Sequence, residues 1–217
     1  MTASTLELAL TYEHARIREL AEPAHHPDAA HPEHRHQTDR FYAIAAQHLA
    51  AAEDVLLPHV RRLSDGEELV TRYVGNAKEL ERSLRFLKGR QYGDSRFVDL
   101  QHDDLWRQID RLLDEHETME TTYGRRISEQ LDGPDVNRLT ENLLEAEEIA
   151  PTRAHPYSPH TGSAGRLAHR MWRMADAAWD SAEGRVIPTK YHAHPKRDSA
   201  LSHYLYGTPM PHEEEHE

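Results

Sequence analysis

No stretch of this chain alternates apolar and polar residues over any length, whereas apolar residues recur three and four positions apart in six separate runs. That single periodicity makes the expected fold all-α. The first run covers 6–22 and is stopped by Pro23. The second opens near Thr38 or Asp39, either of which suits a helix cap, and reaches about residue 62. A third runs from a cap at Ser64 or Asp65 to about 88, and the fourth and longest spans about 98–131, where Asp132, Gly133 and Pro134 break it. A fifth covers 135–149 and a sixth 166–183. Four long helices followed by two more predict an up-and-down four-helix bundle with a C-terminal helical extension. The expected organisation is a bundle over 1–131, the extension over 132–184, and an irregular acidic and histidine-containing tail over 185–217.

Composition narrows the function classes. With 37% hydrophobic and 29% charged residues the chain is water-facing, and no apolar run approaches the roughly 20 residues that cross a bilayer. The start, "MTASTLELAL", lacks the basic segment and apolar block of a secretory signal, so the cytoplasm is the expected compartment and no membrane partner is expected. There is no cysteine, which excludes disulfides, thiolate metal sites and cysteine nucleophiles. Lys+Arg 26 against Asp+Glu 38 gives a net charge of −12, which argues against a nucleic-acid surface. Phosphate-binding glycine loops and a G-x-S-x-G elbow are missing. Histidine is the abnormal residue: protonating all 18 would carry the charge from −12 to +6.

The inward stripe of each long helix shows where some of those histidines belong. Helix 1 reads Leu6, Leu10, His14, Ile17, Ala21, and helix 2 reads Phe41, Ile44, His48, Ala52, Val55. Helix 3 reads Val70, Tyr73, Ala77, Leu80, Leu84, Leu87. Helix 4 reads Leu105, Ile109, Leu112, His116, Glu120, Tyr123, Ile127. Three of the four stripes place a histidine near mid-helix, and Glu120 follows His116 by four residues on the same face. A buried carboxylate needs a cation or a donor beside it, and bundle cores are where facing helices assemble such sites.

The order of these motifs is "YEHARI", then His48 followed by "EDVLLP", then "HETME" at 116–120. It resembles the hemerythrin-like cation-binding domain. The stretches "APTRAHPYSPHTG" and "WDSAEGRVIP" are similar to the C-terminal half of actinobacterial members. The resemblance implies a histidine-and-carboxylate iron site inside the bundle, with His14, His48, His116 and Glu120 as the ligands that carry over. It implies a protein handling O2, NO, peroxide or iron itself, or catalysing a non-haem iron oxidation. Two family positions differ. The bridging carboxylate expected four residues after the second-helix histidine is Ala52, and the inward histidine of the third helix is Ala77.

Three readings follow. In the first, one ion (Fe by resemblance, with Zn or Mn accepting similar donors) sits on the four carried-over ligands. Their outer hydrogen-bond partners would come from Glu13, Tyr73, Glu81 or Tyr123. In the second, the site is dinuclear and Glu53, Asp54 or Glu81 turns inward to complete it, helped by a kink at Pro58. In the third, Ala52 and Ala77 close the void, no metal binds, and the bundle is an interaction or scaffold protein. Glu53 itself is rotated about 100° from the inward face and is expected at the surface.

Among the remaining features, His25, His26, His31, His34 and His36 read as a solvated loop, and His155 and His160 as packing groups. Trp106 reads as an edge residue of helix 4. In the last helix, Leu167, Met171, Met174 and Ala178, with Trp172 and Trp179 nearby, form an apolar face expected to lie on the bundle.

Overall fold

The computed structural model describes residues 3–25, 32–91, 94–97 and 99–183, and among these every regular element is helical. The α-helices are α1 (Thr5–Ala24), α2 (Pro32–Val55), α3 (Leu57–Val60), α4 (Gly66–Gln91), α5 (His102–Ser128), α6 (Gly133–Ile149) and α7 (Gly162–Glu183), with a 3-10 turn at Ser95–Phe97. No helix among the described residues is long and apolar enough to cross a membrane.

Local chemistry sets the ends of these helices. Ser4 and Glu7 form a reciprocal cap at the start of α1: the Glu7 amide donates to Ser4 Oγ (3.2 Å) and the Ser4 amide to Glu7 Oε2 (2.9 Å). Pro23 is absorbed into the last turn of α1 and does not stop it. The second helix begins at Pro32, six residues before the expected cap, because proline is tolerated where a first-turn amide needs no partner. Thr38 and Asp39 are buried inside it. It ends at Val55, just ahead of Pro58, whose missing N–H separates α2 from the single turn of α3. The fourth predicted helix is shortened, since Ser95–Phe97 takes up a tight turn and α5 starts at His102. Asp132 caps α6 by accepting from the Asp135 amide at 2.9 Å.

α1 packs on α2 and α5, α4 packs on α5 and α2, and α6 covers the α1–α2 side. The predicted stripes of α1, α4 and α5 are buried throughout, and that of α2 is buried except for the half-buried Val55. Each large aliphatic group moved from water into this core contributes about 1.5–3 kcal/mol. Gly124 permits the close approach of α5 to α1, because a Cβ there would lie 2.8 Å from Leu10 Cδ1.

Three expectations are corrected. Glu53 is buried, not at the surface, because α2 is enclosed by α1, α4, α6 and α7, and His160 and His169 meet the Glu53 carboxylate. Trp106 is buried as well, its ring 5.3 Å from Phe41 and 4.0 Å from His25. The apolar face of α7 does not lie on the body. Leu167, Met171, Met174 and Trp179 are each about 60–70% exposed, while His169, Asp176 and Asp180 are the groups turned inward. That helix is held by its polar side. His26, His31 and His34 of the histidine-rich loop lie outside the side chains described, as does the tail 185–217; His36 is exposed.

Candidate metal centre

His14 on α1, His48 on α2 and the pair His116 and Glu120 on α5 meet at one buried point, and the four offer ligand atoms that all lie within 4.8 Å of one another. His48 Nε2 is 3.0 Å from Glu120 Oε2 and 3.2 Å from His14 Nε2, and His14 Nε2 is 3.1 Å from the same carboxylate oxygen. These three atoms make a near-equilateral triangle. Donors held at about 2.1 Å from a common ion stand roughly 3.0–3.4 Å apart for right-angled to tetrahedral geometry, so the triangle has the size of a coordination face. His116 Nε2 adds a fourth donor, 3.0 Å from Glu120 Oε1.

The outer nitrogens show how the rings are held. His48 Nδ1 donates to Glu147 Oε1 at 2.7 Å, a carboxylate brought in by α6. His116 Nδ1 lies 3.1 Å from Asn76 Oδ1 on α4, and Asn76 Nδ2 donates to the Leu112 carbonyl (3.2 Å) and Glu115 (3.3 Å). Those two donations fix which end of the Asn76 amide faces the ring. Its oxygen must accept from His116 Nδ1–H, which leaves the Nε2 lone pair of a neutral His116 pointing inward. The Tyr73 hydroxyl lies between Glu120 Oε1 (2.6 Å) and His116 Nε2 (3.2 Å), and its single proton goes to the nearer carboxylate oxygen. As an imidazolium His116 donates from Nε2 to Glu120 Oε1 at 3.0 Å; as a neutral ring it turns a lone pair on that oxygen, two acceptors with no proton between them. Such a contact is satisfied by a cation. His14 Nδ1, in contrast, is buried without a hydrogen-bond partner among the described residues.

Electrostatics favour positive charge beside Glu120. Burial alone would push Glu120 up, but the facing His48 and His116, with hydrogen bonds from His116 and His14, hold it well below the usual carboxylate range. Burial would pull His48 down, yet the carboxylates of Glu120 and Glu147 outweigh it and raise His48 to about 10. Burial dominates at His116 and lowers it. Burial, then the Glu120 charge, raises Tyr73 well above an ordinary phenol, so it stays a donor.

Of the outer partners named from sequence, Tyr73 reaches the site. Glu13 is buried beside Arg16 (3.7 Å), and Tyr123 donates to the Leu69 carbonyl (3.2 Å). Glu81 belongs to a second group of buried charges. Glu53 Oε1 accepts from His160 Nδ1 at 2.8 Å, while His160 Nε2 faces Glu81 Oε2 at 3.6 Å. His169 Nε2 faces Glu53 Oε2 at 3.4 Å, and its Nδ1 lies 3.1 Å from Asp54. Carboxylates and imidazoles alternate as Glu81, His160, Glu53, His169 and Asp54, a seam that ties the 151–161 crossing and α7 to α2 and α4. Gly162, at φ +70°, turns the chain from His160 into α7. Burial and the neighbouring Glu53 push Glu81 up to about 7; at His169, Asp54 and Glu53 outweigh burial and raise it to about 10. His160 is raised in the same way, chiefly by Glu53.

Glu147 and Asn76 were not anticipated. Glu147 continues the stripe Val136, Leu139, Leu143 of α6, where an acid in register with the buried leucines was a usable signal. Asn76 had none, since asparagine beside an apolar stripe is common. Comparison with protein-family models, curated proteins and solved structures found no match.

Proposed function

We propose that this is a hemerythrin-like metal protein of the cytoplasm, a four-helix bundle of α1, α2, α4 and α5 that holds one ion through His14, His48, His116 and Glu120. The observation that carries this reading is the meeting of three imidazoles and one carboxylate at a buried point, with ligand atoms that all lie within 4.8 Å of one another. Outer-nitrogen acceptors of the kind supplied by Glu147 and Asn76 orient histidines for ligation. Three imidazoles and a carboxylate suit iron, with zinc and manganese as chemical competitors. A mononuclear site is favoured over a dinuclear one. Ala52 and Ala77 are fully buried and supply no donor, and Glu53, Asp54 and Glu81 are engaged by His160 and His169.

Iron held there would supply binding and redox chemistry for O2, NO or peroxide. The chain's own residues fix the rings, keep Glu120 ionised, exclude water and hold a phenol proton at Tyr73 Oη, 2.6 Å from the carboxylate. The test is anaerobic loading with Fe(II), Zn(II) or Mn(II) and a metal count per chain. One ion per wild-type chain, lost in the His116→Ala/Glu120→Ala double variant, is expected. No stoichiometric metal in the wild type, or equal metal in the folded variant, overturns the reading. In that case a metal-free interaction protein is the alternative, favoured by the exposed Leu167, Met171, Met174 and Trp179 face of α7.

A further inference from the structure

A cavity of about 410 Å³ opens between the C-terminal half of α4, the Ser95–Phe97 turn, the 151–161 crossing and α7. It shares no residue with the metal centre or with the carboxylate–imidazole seam. Its volume lies in the range of small-molecule sites. Its lining runs against the net charge of the chain: among the described residues four cations converge here, Arg85, Lys88, Arg96 and Arg153, against one acid, Asp94. In a chain of net charge −12, which repels anions at long range, a local cluster of cations is where an anion would be retained.

The cations are arranged in two ways. Arg96 is clamped by Asp94 (2.6 and 3.0 Å), and Arg153 is fixed by Asp180 at 2.7 Å. Arg85 instead extends its guanidinium over the ring of Tyr157, 5.3 Å from its centre, a pose that leaves the fork of N–H donors available to a planar oxyanion. Beside it the walls are aromatic. Trp172 is stacked on His155 (ring centres 4.0 Å apart, planes within 13°), and its Nε1 donates to Ser158 Oγ at 2.7 Å, so the indole plane is set before any ligand arrives. Phe97 and Tyr42 also line the cavity.

Flat apolar walls next to an arginine fork recognise one chemistry. We infer that this cavity binds a small aromatic anion, a planar ring system carrying a phosphate or carboxylate, with the ring against the Trp172 and Phe97 walls and the anionic group on Arg85. The inference stands whether or not the buried centre holds a metal.

The experiment titrates the full-length protein with AMP, phenyl phosphate and benzoate, with adenosine and inorganic phosphate as halves of the ligand. It is read by tryptophan fluorescence and by calorimetry. At least one of the three aromatic anions is expected to saturate below roughly 1 mM. Adenosine and inorganic phosphate are expected at least about tenfold weaker, since each lacks one of the two contacts. Arg85→Glu, an exposed position, is expected to abolish binding without moving the melting temperature by more than about 2 °C. Absence of saturable binding by all three anions overturns the inference. So does adenosine or phosphate alone binding as tightly as the whole ligand, or an Arg85→Glu protein that binds unchanged. A second variant, Trp172→Ala read by calorimetry, is expected to weaken AMP about tenfold while leaving inorganic phosphate as it was; an unchanged AMP affinity removes the aromatic half of the site.

Discussion

Glu53→Gln tests the seam that fastens the C-terminal part of the chain. The substitution keeps the side-chain shape and removes one charge from a carboxylate that serves two imidazoles, His160 at 2.8 Å and His169 at 3.4 Å. Breaking a buried ion pair from one side costs about 3–5 kcal/mol when the orphaned charge has nowhere to go. Three features of this structure reduce that. The imidazoliums can release their protons, Asp54 still faces His169 Nδ1 at 3.1 Å, and Glu81 is relieved of a neighbouring like charge. The net expected loss is about 2–4 kcal/mol at pH 7. For a chain of this size that lowers the melting temperature by roughly 5–15 °C. The sign with pH follows from the raised imidazoles. A group whose folded-state pKa is raised contributes stability that is complete below its unfolded value, near 6.5, and lost as pH rises through the folded value, about 10 for His169. The penalty of Glu53→Gln is therefore expected to be full at pH 6 and to shrink to about 1 kcal/mol near pH 10. Calorimetric melts at pH 6, 7 and 9.5, with hydrogen exchange over α7, measure both parts. A shift below about 2 °C at pH 7, or a shift of the same size at every pH, refutes the reasoning.

Wild-type stability should itself fall as pH rises through about 7, where the raised Glu81 ionises in the folded state although it would already have done so, near 4.5, when unfolded; urea midpoints at pH 5 and 8 read this directly. Glu147→Gln is expected to weaken metal binding about 10–100-fold with little change in helix content, measured by competition with a chromophoric chelator. Ala52→Glu, at a position with no exposure, is expected to lower stability by about 3 kcal/mol or more without metal, because the space that a bridging carboxylate would need is already filled; a thermal melt decides. Met171→Asp and Met174→Asp are expected to change stability by less than about 0.5 kcal/mol, since both side chains already stand in water.

The buried cluster was legible because its residues obey helix geometry. His14, His48, His116 and Glu120 each continue an apolar stripe, so one periodicity delivered their burial and their shared direction. The same rule misplaced Glu53 because it assumes one buried face per helix. α2 has several, one against the bundle side and another under α6 and α7, and a helix enclosed in that way hides residues at every angle. α7 failed for the opposite reason. Its strongest apolar stripe was taken as the inward one, whereas His169, Asp176 and Asp180 find fixed partners in Glu53, His155, Arg153 and Thr152. Which face of an amphipathic helix turns inward depends on what the facing surface offers, and here that surface joins Glu53 of α2 to Thr152, Arg153 and His155 of the crossing just before α7.

The polar attachment of α7 has a thermodynamic consequence. A helix docked through apolar area gains a large heat capacity on release, weakens on cooling and detaches in urea in proportion to the surface exposed. α7 already shows Met171, Met174 and Trp179 to water, so apart from the Trp172 ring its release uncovers chiefly carboxylates and imidazoles. Its detachment should carry a small heat-capacity change and a shallow urea slope while answering sharply to proton activity. The two ends of this chain then melt by different laws: the α1–α5 core as a hydrophobic solid, and the C-terminal helix as an ionic one.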